Sequence, residues 1–185
     1  MKGGGLAALA LVTGCASSVP EKPRAPEIVP ASERQRTAVP TAPEICGNAL
    51  DDNENGLADE SCGLPTGLAQ FLASWEEPNA DVDLRVFDPN GELVEVGRPT
   101  KSGLVKDRDC PGRKNDCSGQ NLEVVYLEQG KLPRGDYRVR IRLVSLGGAD
   151  PPVSVHFWSR VGYRTFGATF DLTKPEGEWA TVLKL

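Results

Sequence analysis

The sequence predicts an all-β protein, an antiparallel β-sandwich of jelly-roll type, and three observations carry that prediction. From Thr66 onward, short runs alternate apolar and polar residues, the period-2 pattern of half-buried strands. Turn-forming residues separate the runs, in a chain with 20 Gly and 15 Pro. No segment carries the apolar spacing of an amphipathic helix. Two sheets packed face to face bury such strands. Ahead of the sandwich the chain divides into a signal peptide (1–14), a Pro-rich tether (15–44) and a small disulfide-closed loop module (45–63). The sandwich takes residues 65–185.

The N-terminal segment starts Met1-Lys2 and continues into the apolar run Leu6–Val12, far shorter than the roughly 20 residues of a spanning helix. The run ends in Val12-Thr13-Gly14-Cys15, small residues before a cysteine. This stretch resembles the lipobox of bacterial lipoproteins. The resemblance implies that Cys15 carries the lipid and becomes the first mature residue, a palmitate-type membrane anchor. Each buried acyl methylene contributes about 0.8 kcal/mol, so two or three chains hold firmly. Ala16 stands where an Asp resembles an inner-membrane retention signal, which favours the outer membrane. The tether that follows holds Pro20, Pro23, Pro26, Pro30, Pro40 and Pro43 and has neither helical nor strand periodicity. It is expected to be extended and disordered, with a reach approaching ~90 Å.

Net charge is −5, which argues against a nucleic-acid partner. The acidity is concentrated: Glu44, Asp51, Asp52, Glu54, Asp59 and Glu60 share one short stretch without a Lys or Arg. Five cysteines divide into a lone Cys15 and two local pairs, so Cys46–Cys62 and Cys110–Cys117 are the expected disulfides of an oxidising compartment. Within the first loop, Asp51, Asn53 and Asn55 alternate and Gly56 follows, the front half of a calcium loop with hard oxygens and a sharp turn. Position 12 of a full EF-hand would be Glu, but here it is Cys62. The stretch resembles the short Cys/Asn/Asp-rich metal-binding repeats of bacterial surface proteins over residues 44–62. That resemblance implies a ligand set of Asp51, Asn53, Asn55, Asp59 and Glu60, with Ca2+ the favoured ion for oxygen-only chemistry. So small a module has no core of its own and needs the disulfide or the ion.

In the sandwich, strands are expected over Gly67–Trp75, Val82–Val86, Glu92–Val96, Leu122–Leu127, Tyr137–Leu143, Val153–Phe157, Phe166–Leu172 and Trp179–Leu185. The third pairs back on the second across the turn Asp88-Pro89-Asn90-Gly91. Asp81-Val82-Asp83-Leu84, the Asp88 turn, Asp107-Arg-Asp109, Asn121-Leu-Glu123 and Pro133-Arg-Gly135-Asp-Tyr137 together resemble the P-like β-sandwich modules appended to bacterial surface proteins and proteases. The resemblance implies an accessory or binding domain. Asp83, Asp107, Asp109, Asn121 and Glu123 form a second, weaker candidate metal site, because converging carboxylates repel unless a cation intervenes.

Catalytic signatures are missing. His156 is the single histidine and alternates with core residues, placing it on a sheet surface. GxSxG and HExxH do not occur. The expectation is a non-enzymatic, lipid-anchored cell-envelope protein, a calcium-stabilised binding or adhesion module held to the membrane by its lipid. The alternative is a structural subunit of an envelope or surface assembly. Arg138, Arg140 and Arg142 share one strand face and, with Trp158, form a candidate ligand surface for an envelope protein or an acidic glycan.

Overall fold

The computed structural model describes residues 43–110 and 120–185. The expected signal peptide, Cys15, nearly all of the expected tether and Cys117 lie outside the described residues. Among the described residues there is no helix.

Eight strands run in order: β1 (Ala69–Trp75), β2 (Asp81–Phe87), β3 (Val105–Arg108), β4 (Leu122–Leu127), β5 (Asp136–Ser145), β6 (Val153–Val161), β7 (Arg164–Leu172) and β8 (Glu178–Lys184). They form a five-stranded sheet, β3-β4-β1-β6-β7, and a three-stranded sheet, β2-β5-β8. Every strand pair is antiparallel. Of the strands consecutive in sequence, only β3–β4 and β6–β7 are neighbours within one sheet; every other connection crosses between sheets. The all-β sandwich expected from the sequence is therefore what the chain adopts.

The alternation read along β5 sets one face of the core. Tyr137, Val139, Ile141 and Leu143 are buried, and Arg138 and Arg140 between them are exposed. These residues meet Phe71, Trp75, Val125, Val155 and Phe157 of the larger sheet. Burying side chains of this size contributes about 1.5–3 kcal/mol each as an upper bound. Trp179 stacks on Phe170 at a centroid distance of 4.4 Å, joining β8 to β7 across the sandwich edge.

Two strand assignments change. Glu92–Val96 makes only isolated bridges, Phe87↔Leu93, Glu95↔Arg98 and Val96↔Lys106, because Gly91 and Gly97 turn the chain with positive φ at both ends. Val105–Arg108 is the strand instead, short and charged but paired to β4 through a bulge.

The turn motifs have structural work. Asp88 is buried, and its carboxylate accepts bonds from Asn90 N–H, Glu92 N–H and the Ser102 hydroxyl. The Tyr137 hydroxyl donates to the Pro133 carbonyl at 2.7 Å, which closes the loop into β5. Burial and the nearby Asp88 charge push that phenol up to about 12.

β1 is the central strand, and all seven of its residues are buried, on both faces. The second covering layer is the acidic module. Ala49, Ala58 and Leu64 pack on Leu72, Leu122, Val124 and Trp158, the outward side chains of the larger sheet. Register sets Val124, Leu72, Trp158 and Gly167 in one row across β4, β1, β6 and β7. Gly167 leaves space for the indole: a Cβ there would lie 3.2 Å from Trp158 Cε3. The module thus uses the sheet's outer face as the core it lacks.

Candidate functional site

The module is closed by the Cys46–Cys62 disulfide, with the Cα atoms 5.4 Å apart. Cys110 is also disulfide-bonded and buried; its expected partner, Cys117, lies outside the described residues. Inside the first loop the backbone turns back repeatedly, with left-handed φ at Ala49, Glu54, Asp59 and Ser61 as well as Gly47 and Gly56.

Those turns aim amides at the acidic side chains. Asp51 Oδ1 accepts from Asn55 N–H and Oδ2 from Gly56 N–H, both at 2.8 Å. Asn53 Oδ1 accepts from Asn55 N–H at 3.1 Å, and Asn55 Oδ1 from Leu57 N–H at 2.8 Å. Both carboxamide nitrogens donate to Glu60 Oε1, at 2.7 Å from Asn53 and 2.5 Å from Asn55. The second oxygen, Glu60 Oε2, is buried and has no hydrogen-bond partner. An unpartnered carboxylate oxygen away from water is costly unless a cation or donor faces it.

Four of the five residues named from sequence for this loop, Asp51, Asn53, Asn55 and Glu60, are joined through these bonds. Asp59 turns the other way. Its side chain is buried and holds the start of the loop, accepting from Gly47 N–H and Ala49 N–H. Burial pushes the Asp59 carboxyl up, and backbone bonds from Gly47, Ala49 and Asn48 offset part of that rise. Glu44 has a matching role that sequence spacing did not reveal. Its two oxygens accept from Asn53 N–H and Asp59 N–H, clamping the two limbs of the loop.

The second candidate site sits where the edge of β2 meets β3 and β4. Carboxylate oxygens of Asp83, Asp109 and Glu123 lie within 4.8 Å of one another. Asp107 is turned out to solvent by the bulge between Lys106 and Arg108 and does not join them. Asn121 gives its carbonyl oxygen to Trp75 N–H. The residue that organises this edge is Lys106, which the sequence reading passed over. Its Nζ is 2.6 Å from Asp109 and 2.9 Å from Glu123, while Arg142 reaches Asp83 at 3.3 Å. Each carboxylate therefore already faces a fixed cation. Glu123 Oε2 also accepts Leu84 N–H of the edge strand. Burial pushes Glu123 well above the usual carboxylate range, with Lys106 opposing the rise. For Lys106 burial acts downward, but the Glu123 charge and the Asp109 bond outweigh it and raise the ammonium.

The proposed ligand surface splits in two. Trp158 does project outward from the larger sheet, but the module covers it and leaves it 6% exposed. Arg138, Arg140 and Arg142 project from the smaller sheet, on the other side of the sandwich. One ligand cannot touch both from solvent. His156 bonds Thr169 on the neighbouring strand, as a sheet-surface residue does.

The chain matches no protein-family model, no curated protein and no solved structure.

Proposed function

We propose that this is a non-enzymatic, lipid-anchored cell-envelope protein whose Asp/Asn loop holds calcium and whose sandwich is a binding module. The carrying observation is the buried, unpartnered Glu60 Oε2 beside the side chains of Asn53 and Asn55. Calcium supplies a divalent charge that offsets the convergent carboxylates. The protein's own residues supply the cage. Asp51 and Glu60 offer charged oxygens. A half-turn of either carboxamide exchanges its nitrogen for its oxygen at the same place. Gly56 permits the turn, Glu44 and Asp59 fix the two limbs, and the disulfide holds the ends. The edge cluster is the poorer fit, because each of its three carboxylates is already paired with Lys106 or Arg142.

The anchor reading rests on Val12-Thr13-Gly14-Cys15 after an apolar run, and the outer-membrane preference on Ala16. A non-catalytic role is supported by the employment of the acidic residues in turns, caps and ion pairs. A second reading, a structural subunit of an envelope assembly, is favoured by β7. This nine-residue strand forms the edge of the larger sheet and offers backbone groups for strand addition.

Two measurements test the proposal. A clickable fatty acid fed to expressing cells marks the wild-type protein and not Cys15→Ser; equal labelling overturns the anchor. Calorimetry is expected to find one calcium site that disappears in Asp51→Ala/Glu60→Ala. Absence of binding at millimolar calcium, or unchanged binding in the double variant, overturns the loop site.

A further inference from the structure

The outer face of the smaller sheet has an uneven charge balance that the fold itself does not require. Its side chains are Asp81, Asp83, Arg85 and Phe87 from β2, Asp136, Arg138, Arg140 and Arg142 from β5, and Glu178, Ala180, Val182 and Lys184 from β8, so the β8 neighbours of Arg138 and Arg140 are the uncharged Val182 and Ala180. Register sets Arg85 directly opposite Arg140, and Phe87 opposite Arg138. Like charges directly opposite on one face are destabilising. At one end the charges are matched: Arg142 contacts Asp83 at 3.3 Å and Glu176 at 3.1 Å. In the middle only one of three arginines is matched. Arg140 has Glu178 at 3.6 Å and is half exposed. Arg85 and Arg138 have no carboxylate within ion-pair distance among the described residues. Instead, the Arg138 and Arg140 guanidiniums lie 5.5 and 5.9 Å from the centre of the Phe87 ring.

We propose that Arg85, Arg138 and Arg140, the last two set over Phe87, bind an acidic polysaccharide. Alternate residues of a strand are about 7 Å apart along the backbone, and paired residues on adjacent strands about 5 Å. Arg85, Arg138 and Arg140 thus share one patch of the exposed sheet face, and their planar forks match carboxylates or phosphates. Donors spread over neighbouring strands suit an extended polymer lying across them, not a small molecule that must be enclosed. Duplex nucleic acid is disfavoured by the net charge of −5 and the acidic module on the opposite side. A bilayer is disfavoured because Phe87 lies beneath the guanidiniums and does not project for insertion. Choosing a polysaccharide among flexible polyanions rests on the envelope reading above; the arginine site itself does not.

The test is equilibrium binding of the full chain to hyaluronate, a linear carboxylated polysaccharide, with neutral dextran as control. Binding to hyaluronate at 50 mM salt is expected to weaken more than tenfold at 300 mM, with none to dextran. Arg85→Gln/Arg138→Gln/Arg140→Gln is expected to lower affinity at least tenfold without lowering the unfolding midpoint, since it also relieves the Arg85–Arg140 repulsion. Arg142→Gln, whose charge is already matched, is expected to change it less than twofold. The proposal is overturned by absence of binding at 50 mM salt, by equal loss in Arg142→Gln, or by an unaffected triple variant. It is equally overturned if duplex DNA or phosphatidylglycerol vesicles bind more tightly through the same arginines. Fatty-acid labelling at Cys15 reads independently of all these outcomes, so failure of the anchor and failure of this surface are distinguishable.

Discussion

Lys106 Nζ stands 2.9 Å from Glu123 Oε2, with the two side chains 7% and 1% exposed, so a buried ion pair ties β3 to β4 at the seam between the sheets. Removing one partner of such a pair leaves an uncompensated charge and costs about 3–5 kcal/mol, whereas replacing both by apolar groups is often neutral. Lys106→Met is expected to destabilise by that amount in urea unfolding, and Lys106→Met/Glu123→Leu to recover most of it. A double variant no more stable than Lys106→Met would show that Glu123 contributes chiefly through its bond to Leu84 N–H.

Glu123 also sets an expected pH dependence. Its folded value is raised well above 4.5 by burial. A raised carboxylate binds more protons folded than unfolded, so its contribution falls as pH rises from 4.5 through the folded value. Glu44 and Asp59 are raised too, and act in the same direction. Metal-free protein should therefore gain stability on acidification from neutral pH toward 5, until lowered groups such as Asp88 and Asp109 begin to protonate. Glu123→Gln is expected to flatten that slope. An unchanged slope in urea midpoints measured from pH 5 to 8 would rule Glu123 out as its source.

What was legible in the sequence follows how local each determinant is. The alternation of Tyr137, Val139, Ile141 and Leu143 with arginines needs only one strand, and β5 forms where it predicts. Asp51, Asn53, Asn55 and Gly56 are read from spacing alone, and the loop gathers the first three. Asp59 stands apart from the other four because its partners, Gly47 and Ala49, lie 12 and 10 residues back, beyond the reach of local spacing. β3 escaped because four residues with a buried lysine carry no period. Trp158 was correctly placed outward from its sheet, but its cover comes from Ala49 and Ala58, a hundred residues earlier, and no local pattern announces that.

That cover gives a prediction for the disulfide. Cys46 and Cys62 close a loop whose constraint is worth roughly 3 kcal/mol in the chain-entropy model. Cys46→Ser/Cys62→Ser is expected to loosen the module from the sheet while the inner core persists. Trp158 should then become quenchable by acrylamide and, being exposed to water, emit further to the red, with Trp75 and Trp179 unaffected because both belong to the inner core. Tryptophan replacements at 75 and 179 isolate the signal. Unchanged quenching of Trp158 would mean that apolar docking alone holds the module.

Docking also decides how far calcium is felt. A free-standing loop would pass its stabilisation only to itself. Here Ala49 and Ala58 are buried against Leu72, Leu122, Val124 and Trp158, and Leu72 lies on the central strand. Unfolding the sandwich therefore removes the surface on which the loop is ordered, so calcium held at the proposed loop site would be linked to the whole unit. At calcium 100 times the dissociation constant, that linkage would add about 2.7 kcal/mol to global stability. The urea midpoint followed by far-UV circular dichroism, which reports the sheets, should rise with calcium while the slope stays constant. Asp51→Ala/Glu60→Ala should remove that rise. If calcium binds by calorimetry yet leaves the sheet transition unmoved, the module unfolds separately and its contact with Trp158 is too weak to couple them.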